Sequence, residues 1–277
     1  MKKLLIAQFC LLLMLTGLIV EASAAGLILT APPRETKEAG ETLYGPLARH
    51  FTELLGVDVS YQHPGNWLNY QRNMRDDKYD IVFDGPHFIS WRMVHLKHDV
   101  LVKLPGTLEF YVVAQKSDNS LESLDQLVGK KICGISPPNL STLTVLDRFR
   151  NPVRQPVLKG INGGMHKVFQ AFKDGKCEAA VLRSGHYKKK ITQQERDSVK
   201  ILFHSAPLPN QAISVSSRVS DSLKKQIIRS LTLGKGVKES SAIVKRFGGK
   251  QTTSFIAASR QEYTGHNTLL EGVIFGW

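Results

Sequence analysis

The stretch Lys130–Arg150, KKICGISPPNLSTLTVLDRFR, holds the residues whose types and spacing best suit binding chemistry. It reads as a short strand, a two-proline loop, and then Ser141-Thr142 opening a helix. First-turn N–H groups lack intrahelical partners, the helix dipole adds partial positive charge, and the hydroxyls donate further hydrogen bonds. Such a start suits an anion. The competing reading is structural, since Ser and Thr also cap helices.

Four other places could contribute. Asp84-Gly85-Pro86-His87 follows an apolar run and should face a cleft. As a plain βα turn, it would use Gly and Pro for backbone shape and Asp84 as a cap. The strand-end position favours His87 as a ligand contact and leaves Asp84 open between the two roles. Arg34, in the first βα loop, can clamp an anion bidentately or face solvent. Arg183, ending the run EAAVLR, is the stronger cationic candidate. His166 follows Gly163-Gly164, which permits close backbone approach, although a histidine near a helix start is often only a surface group. Tyr44, Trp67, Phe83 and Trp91 read as core residues.

Positioning these groups requires alternating strands and helices, which points to an α/β protein with mostly parallel sheets. Expected strands are Leu27–Thr30, Val57–Tyr61, Tyr79–Phe83, Val100–Leu104, Glu109–Gln115, Lys131–Ile135, Val157–Lys159, Ala179–Leu182, Ile201–Phe203 and Ala212–Ser216. Expected helices are Leu43–Leu55, Trp67–Arg75, Phe88–Val94, Ser141–Phe149, Met165–Lys173, Ser220–Leu233 and Ser240–Phe247, with Ala31–Gly40 as a loop. Two α/β lobes joined by two crossings follow: 25–110 with 212–277 as lobe one, and 111–211 as lobe two with the hinge crossings. A small ligand would sit between them at the C-terminal strand ends, and the lobes would close on it.

The first 24 residues carry a basic start (Lys2, Lys3), an apolar core Leu4–Val20 and the small-residue site Ala22-Ser23-Ala24. This is the pattern of a cleavable export signal. An uncleaved anchor is the alternative. Cys10 lacks a lipoprotein context. The expected location is the periplasm. The formal charge of +13 suits an anionic small ligand or an acidic surface. No RNP, helix-turn-helix or zinc-finger pattern accompanies it, and Lys188-Lys189-Lys190 reads as a solvated face, so nucleic acid is not an expected partner. Beyond the leader the cysteines are Cys133 and Cys177, without a C-x-x-C. Both fall at or beside neighbouring predicted strands, which leaves them open as a disulfide or as free thiols.

With these elements in place the sequence resembles the periplasmic substrate-binding proteins of phosphate, phosphite and phosphonate ABC transporters. The likeness rests on LYGPLARHFTELLGVDV, YDIVFDGPHFISW, SLDQLVGKKICGISPPNLST, GGMHKVFQAFKDGKCEAAVL and FIAASRQEYTGHNTLLEGVIFGW, in that order. It implies a type II periplasmic-binding-protein fold. It also implies that Ser141 and Thr142 donate to ligand oxygens and that His166 joins them. The chain departs from the family in two places. The family's Ser-Thr-Ser continues here as Ser141-Thr142-Leu143, and Arg183 stands where aminophosphonate binders can carry an acid. A cation there repels an ammonium and favours a more negative ligand.

The expected function is capture of a small oxyanion for an ABC-transporter permease, by a monomer without cofactor. No H-E-x-x-H, G-x-S-x-G or P-loop pattern suggests catalysis. Two alternatives stand beside it. Asp84, His87 and His166 could meet around iron, zinc or copper, or the protein could present its ligand to a membrane sensor.

Overall fold

The computed structural model describes residues 26–249 and 251–271. The leader Met1–Ala24 lies outside the described residues, as do positions 272–277. In chain order the strands are β1 (Leu27–Thr30), β2 (Val59–Tyr61), β3 (Ile81–Asp84), β4 (Asp99–Lys103), β5 (Thr107–Leu108), β6 (Phe110–Gln115), β7 (Lys131–Gly134), β8 (Val157–Gly160), β9 (Ala179–Arg183), β10 (Val199–His204), β11 (Leu208–Pro209), β12 (Ala212–Val215) and β13 (Ile256–Ala257). The helices that matter for the site are α1 (Lys37–Leu55), α2 (Trp67–Arg75), α3 (Pro86–His95), α4 (Leu140–Leu146), α5 (Met165–Lys173) and α6 (Ser184–Lys190).

Six strands form the sheet of lobe one in the order β13-β4-β12-β3-β1-β2. β1 runs parallel to β2 and β3, and β12 returns antiparallel between β3 and β4. Lobe two holds β10-β6-β9-β7-β8, with β7 parallel to both β8 and β9. The short antiparallel pair β5–β11 lies where the chain crosses between the sheets in each direction. Parallel strands followed by helices put β1, β3, β7, β8 and β9 with their C-terminal ends toward the crevice, where open α/β sheets bind ligands.

Helix starts and stops explain both the agreements with the sequence pattern and the departures from it. Helix α2 spans the expected residues because Asn66 caps its first turn, accepting from Asn69 N–H. Helix α1 begins six residues before the expected Leu43. Thr36 caps it, and Gly40, which breaks the apolar spacing, is buried because Tyr61 packs where a Cβ would stand. Helix α4 stops at Leu146, short of the expected Phe149.

Each lobe has its own apolar core. Leu29, Leu47, Phe51, Phe83, Ile213 and Ile227 centre the first. The second packs both faces of its sheet, with Val113, Phe169, Phe172 and Leu182 on one side and Val112, Leu127, Ile132 and Val181 on the other. Cys133 in β7 and Cys177 just before β9 are joined in a disulfide, their Cα atoms 5.6 Å apart. The lobes touch through α4. Leu143, which follows Ser141-Thr142, is buried among Tyr70, Phe88, Trp91 and Leu270 of lobe one, and Leu140 meets Leu108 and Leu208 at the crossings.

Candidate functional site

On lobe one the site is built from the ends of β1 and β3. Asp84 closes β3, and the chain from Ile81 to Met93 is buried without a break. Its carboxylate accepts from Arg92 Nη1 at 2.5 Å and from the Tyr70 hydroxyl, while Arg92 Nη2 donates to Tyr70 Oη at 2.8 Å. Asp84 Oδ1 also accepts from Gly85 N–H at 2.9 Å, so the aspartate shapes the turn. Burial pushes the Asp84 carboxyl up, and Arg92 and then Arg34 pull it back without cancelling the rise. For Arg92 burial opposes the charge, but Tyr70 and Asp84 outweigh it and its pKa is raised.

Arg34, in the β1–α1 turn, links this network to the hinge. Its guanidinium donates to Gln211 Oε1 at 2.5 Å and lies 3.7 Å from Asp84. His87 opens α3 and bridges the lobes. Its Nε2 lies 3.0 Å from the Pro138 carbonyl. A carbonyl can only accept, so Nε2 carries the proton and Nδ1 is left as a buried acceptor without a partner. Burial pushes the imidazole down to about 3, so it is neutral at physiological pH.

On lobe two, Ser141 and Thr142 are buried at the start of α4 with both hydroxyl protons engaged. Ser141 Oγ donates to Asn139 Oδ1 at 2.6 Å, and Thr142 Oγ1 donates to the Ile135 carbonyl at 2.6 Å. As placed, the hydroxyls hold the loop to the helix. Arg183 ends β9, two strands from β8 across β7. Burial alone pushes its pKa down; no charged neighbour offsets it, and among the described residues its side chain has no ion pair or hydrogen bond. His166 is exposed in the first turn of α5, after Gly163 and Gly164 at φ of 94° and 84°. His186, in the first turn of α6, is half-buried, and its pKa is lowered by burial first and by His166 second.

The geometry thus brings Arg34, Asp84 and His87 into one group on lobe one, and places Ser141, Thr142, His166 and Arg183 around the strand ends of lobe two. Sequence reasoning missed Arg92, which pairs with Asp84, Tyr70, which donates to it, and His186, three residues beyond Arg183. A metal centre is not favoured: among the described residues no three His, Cys, Asp or Glu side chains cluster to hold an ion, and the Asp84 carboxylate is already paired with Arg92.

Two α/β lobes joined by two crossings have the type II periplasmic-binding-protein fold. Residues 29–263 match the family of phosphonate ABC-transporter periplasmic substrate-binding proteins, and the chain belongs to that family. Solved structures agree on the fold. XAC2383 from Xanthomonas citri, bound to ATP, is 12% identical with a TM-score of 0.68, covering 90% of this chain and 98% of its own. PhnD1 from Prochlorococcus marinus, in complex with methylphosphonate, is 15% identical with a TM-score of 0.63, over 88% and 97%. A phosphonate-transporter binding component from Pseudomonas aeruginosa, PA3383, is 14% identical with a TM-score of 0.57, over 86% and 82%. No curated protein matches the sequence significantly. The family is a transporter component, which does not favour the sensor alternative, and among the described residues no helix is long and apolar enough to cross a membrane.

Proposed function

We propose that this protein captures a small phosphorus oxyanion between its lobes in the periplasm, after export by the Met1–Ala24 leader, and hands it to an ABC permease without chemical change. Arg183 carries the reading. A desolvated guanidinium without an acidic partner is costly unless an anion meets it, and Arg183 stands at a strand end where ligands of this fold bind. Arg34, His166 and His186 add positive or hydrogen-bonding groups around the crevice, and methylphosphonate is the ligand held by PhnD1. Ser141 and Thr142 shape the β7–α4 loop and reach the ligand on leaving Asn139 and Ile135.

Calorimetric titration with methylphosphonate, phosphite and phosphate tests this directly. A hydrogen bond to a charged group contributes about 1.5–3 kcal/mol, so Arg183→Gln should weaken the preferred ligand by roughly ten- to a hundredfold. Unchanged affinity in that variant removes Arg183 from the site. Failure of all three anions to bind the wild-type protein sinks the oxyanion reading.

A further inference from the structure

Lobe one buries a histidine that the crevice does not use. His50 lies on α1 well beyond the Thr36 cap, about 21 Å along the helix from its crevice end at a rise of about 1.5 Å per residue. It is 5% exposed, and its Nε2 lies 2.6 Å from Ser230 Oγ. Ser230 is on α7 (Asp221–Leu233), which packs against α1 and is followed by α8 (Gly236–Glu239). Its hydroxyl oxygen accepts from Gly236 N–H at 3.2 Å. A Cβ at Gly236 would stand 2.6 Å from that oxygen and 3.0 Å from His50 Nε2, so a glycine lets the chain close against the pair. Two surface cavities, of about 400 and 130 Å³, share His50 in their walls.

Proton bookkeeping shows what this histidine still has to offer. Burial pushes its pKa down, Lys235 lowers it further, and Glu239 and Glu53 pull the other way without cancelling the fall. The ring is therefore neutral at physiological pH and carries one N–H. Gly236 N–H can only donate, so among the described residues the Ser230 proton has His50 Nε2 as its acceptor. The ring proton then sits on Nδ1, which is buried without a hydrogen-bond partner. A purely structural His–Ser pair accounts for Nε2 and leaves this donor unmet, at a cost to the fold. The larger cavity is lined mainly by apolar surface, with Leu54 and Gln226 in its wall. Arg49, Arg229 and Lys235 line the two cavities with Glu53 and Glu239, and Lys235 already pairs with Glu53 at 2.7 Å.

We infer that the seam between α1 and α7 is a second binding site, apart from the crevice, for a small monocarboxylate with an apolar body. The carboxylate accepts from His50 Nδ1–H, and the body lies against Leu54. Three features set this class. The unmet group is a donor, so the occupant must bring an acceptor. The lining holds more cations than acids, so an anion is favoured over a neutral carbonyl. The walls are apolar, and the larger cavity has the volume of a small-ligand pocket. A protonated amine would meet the donor with a donor of its own. The site stands whatever anion the crevice holds.

Benzoate and benzylamine are probes of similar size and opposite charge. Titrated into the wild-type protein, benzoate should bind saturably and at least about tenfold more tightly than benzylamine. In nitrogen-detected NMR it should shift the imidazole signals of His50 and leave those of His87, in the crevice, in place. His50→Phe keeps a ring and loses the donor, and should weaken benzoate by about ten- to a hundredfold. Gln226→Trp changes an exposed residue of the cavity wall and should weaken benzoate by at least about tenfold with an unchanged thermal midpoint. If His50→Phe fails to fold, the Gln226→Trp titration decides alone. The inference is overturned by the absence of saturable benzoate binding, by benzylamine binding equally well, or by a shift at His87 without one at His50. Unchanged benzoate affinity in either folded variant overturns it too.

Discussion

The two lobes handle charge at their strand ends in opposite ways. In lobe one, Asp84 is sealed against Arg92, Tyr70 and Arg34, and every residue around the β3–α3 turn is buried. In lobe two, Arg183 ends its strand without an acidic partner, and His186 follows three residues on in the first turn of α6. Lobe one is thus neutralised from within and set as a rigid template, and lobe two keeps charge in reserve. A paired buried ion is strongly destabilising to break, whereas an unpaired one is already a cost to the fold. The difference separates residues that hold the protein together from residues available to a ligand.

The largest effect should come from breaking the sealed side. Arg92→Leu leaves Asp84 buried and uncompensated, and removal of one partner of such a pair costs about 3–5 kcal/mol. The urea midpoint should fall with an unchanged slope. Arg183→Gln, the counterpart in lobe two, should leave the midpoint where it is or raise it, because no partner is stranded. Equal losses in the two variants would erase the distinction between the lobes.

The next effect belongs to lobe two alone. The Cys133–Cys177 bridge closes a loop of 44 residues in sequence separation, all within that lobe. Removing such a cross-link costs about 2–4 kcal/mol. Reductant should therefore speed amide exchange in β7, β9 and α5 and leave β1, β3 and α1 as protected as before. Exchange that rises equally in both lobes would show that the bridge is not a local constraint.

The alternation of elements, the α/β class and the family were readable because apolar period and caps are local. Helix α5 begins after Gly164 and α2 after Asn66, and both agree with the pattern at each end. The start of α1 was not, since Gly40 looks like a breaker until Tyr61 is seen against it. In the site, Arg34, Asp84 and His87 stand out because βα turns at parallel strand ends face the crevice. The partner of Asp84 does not: Arg92 lies eight residues on, two turns along α3, and reads as an ordinary helical cation. Tyr44 reads as core and is core by burial, yet its hydroxyl is left over, a property of three dimensions only.

The smallest effect per residue is set by pH and falls on lobe one. His87 and His98 are both buried there. Burial pushes His87 down to about 3 and His98 down to about 2. His98 Nε2 lies 3.6 Å from Asp77, which alone would favour its charged form, but Arg92, Arg218 and Lys224 act against it and Asp77 is already held by Arg218 at 2.8 Å. The unfolded chain binds these protons near the ordinary histidine value of about 6.5, and the folded chain does not. Stability from each is therefore complete above that value and is lost as pH falls toward the folded values. Between pH 7.5 and 5.5 each of these two histidines should remove about 1.4 kcal/mol, and His98→Gln should make the slope of midpoint against pH shallower by one such contribution. Lobe-one amides should register the change before those of lobe two. A flat profile over that interval would mean that His87 and His98 charge as readily in the folded protein as outside it, and the sealed interior of lobe one would have to be redrawn.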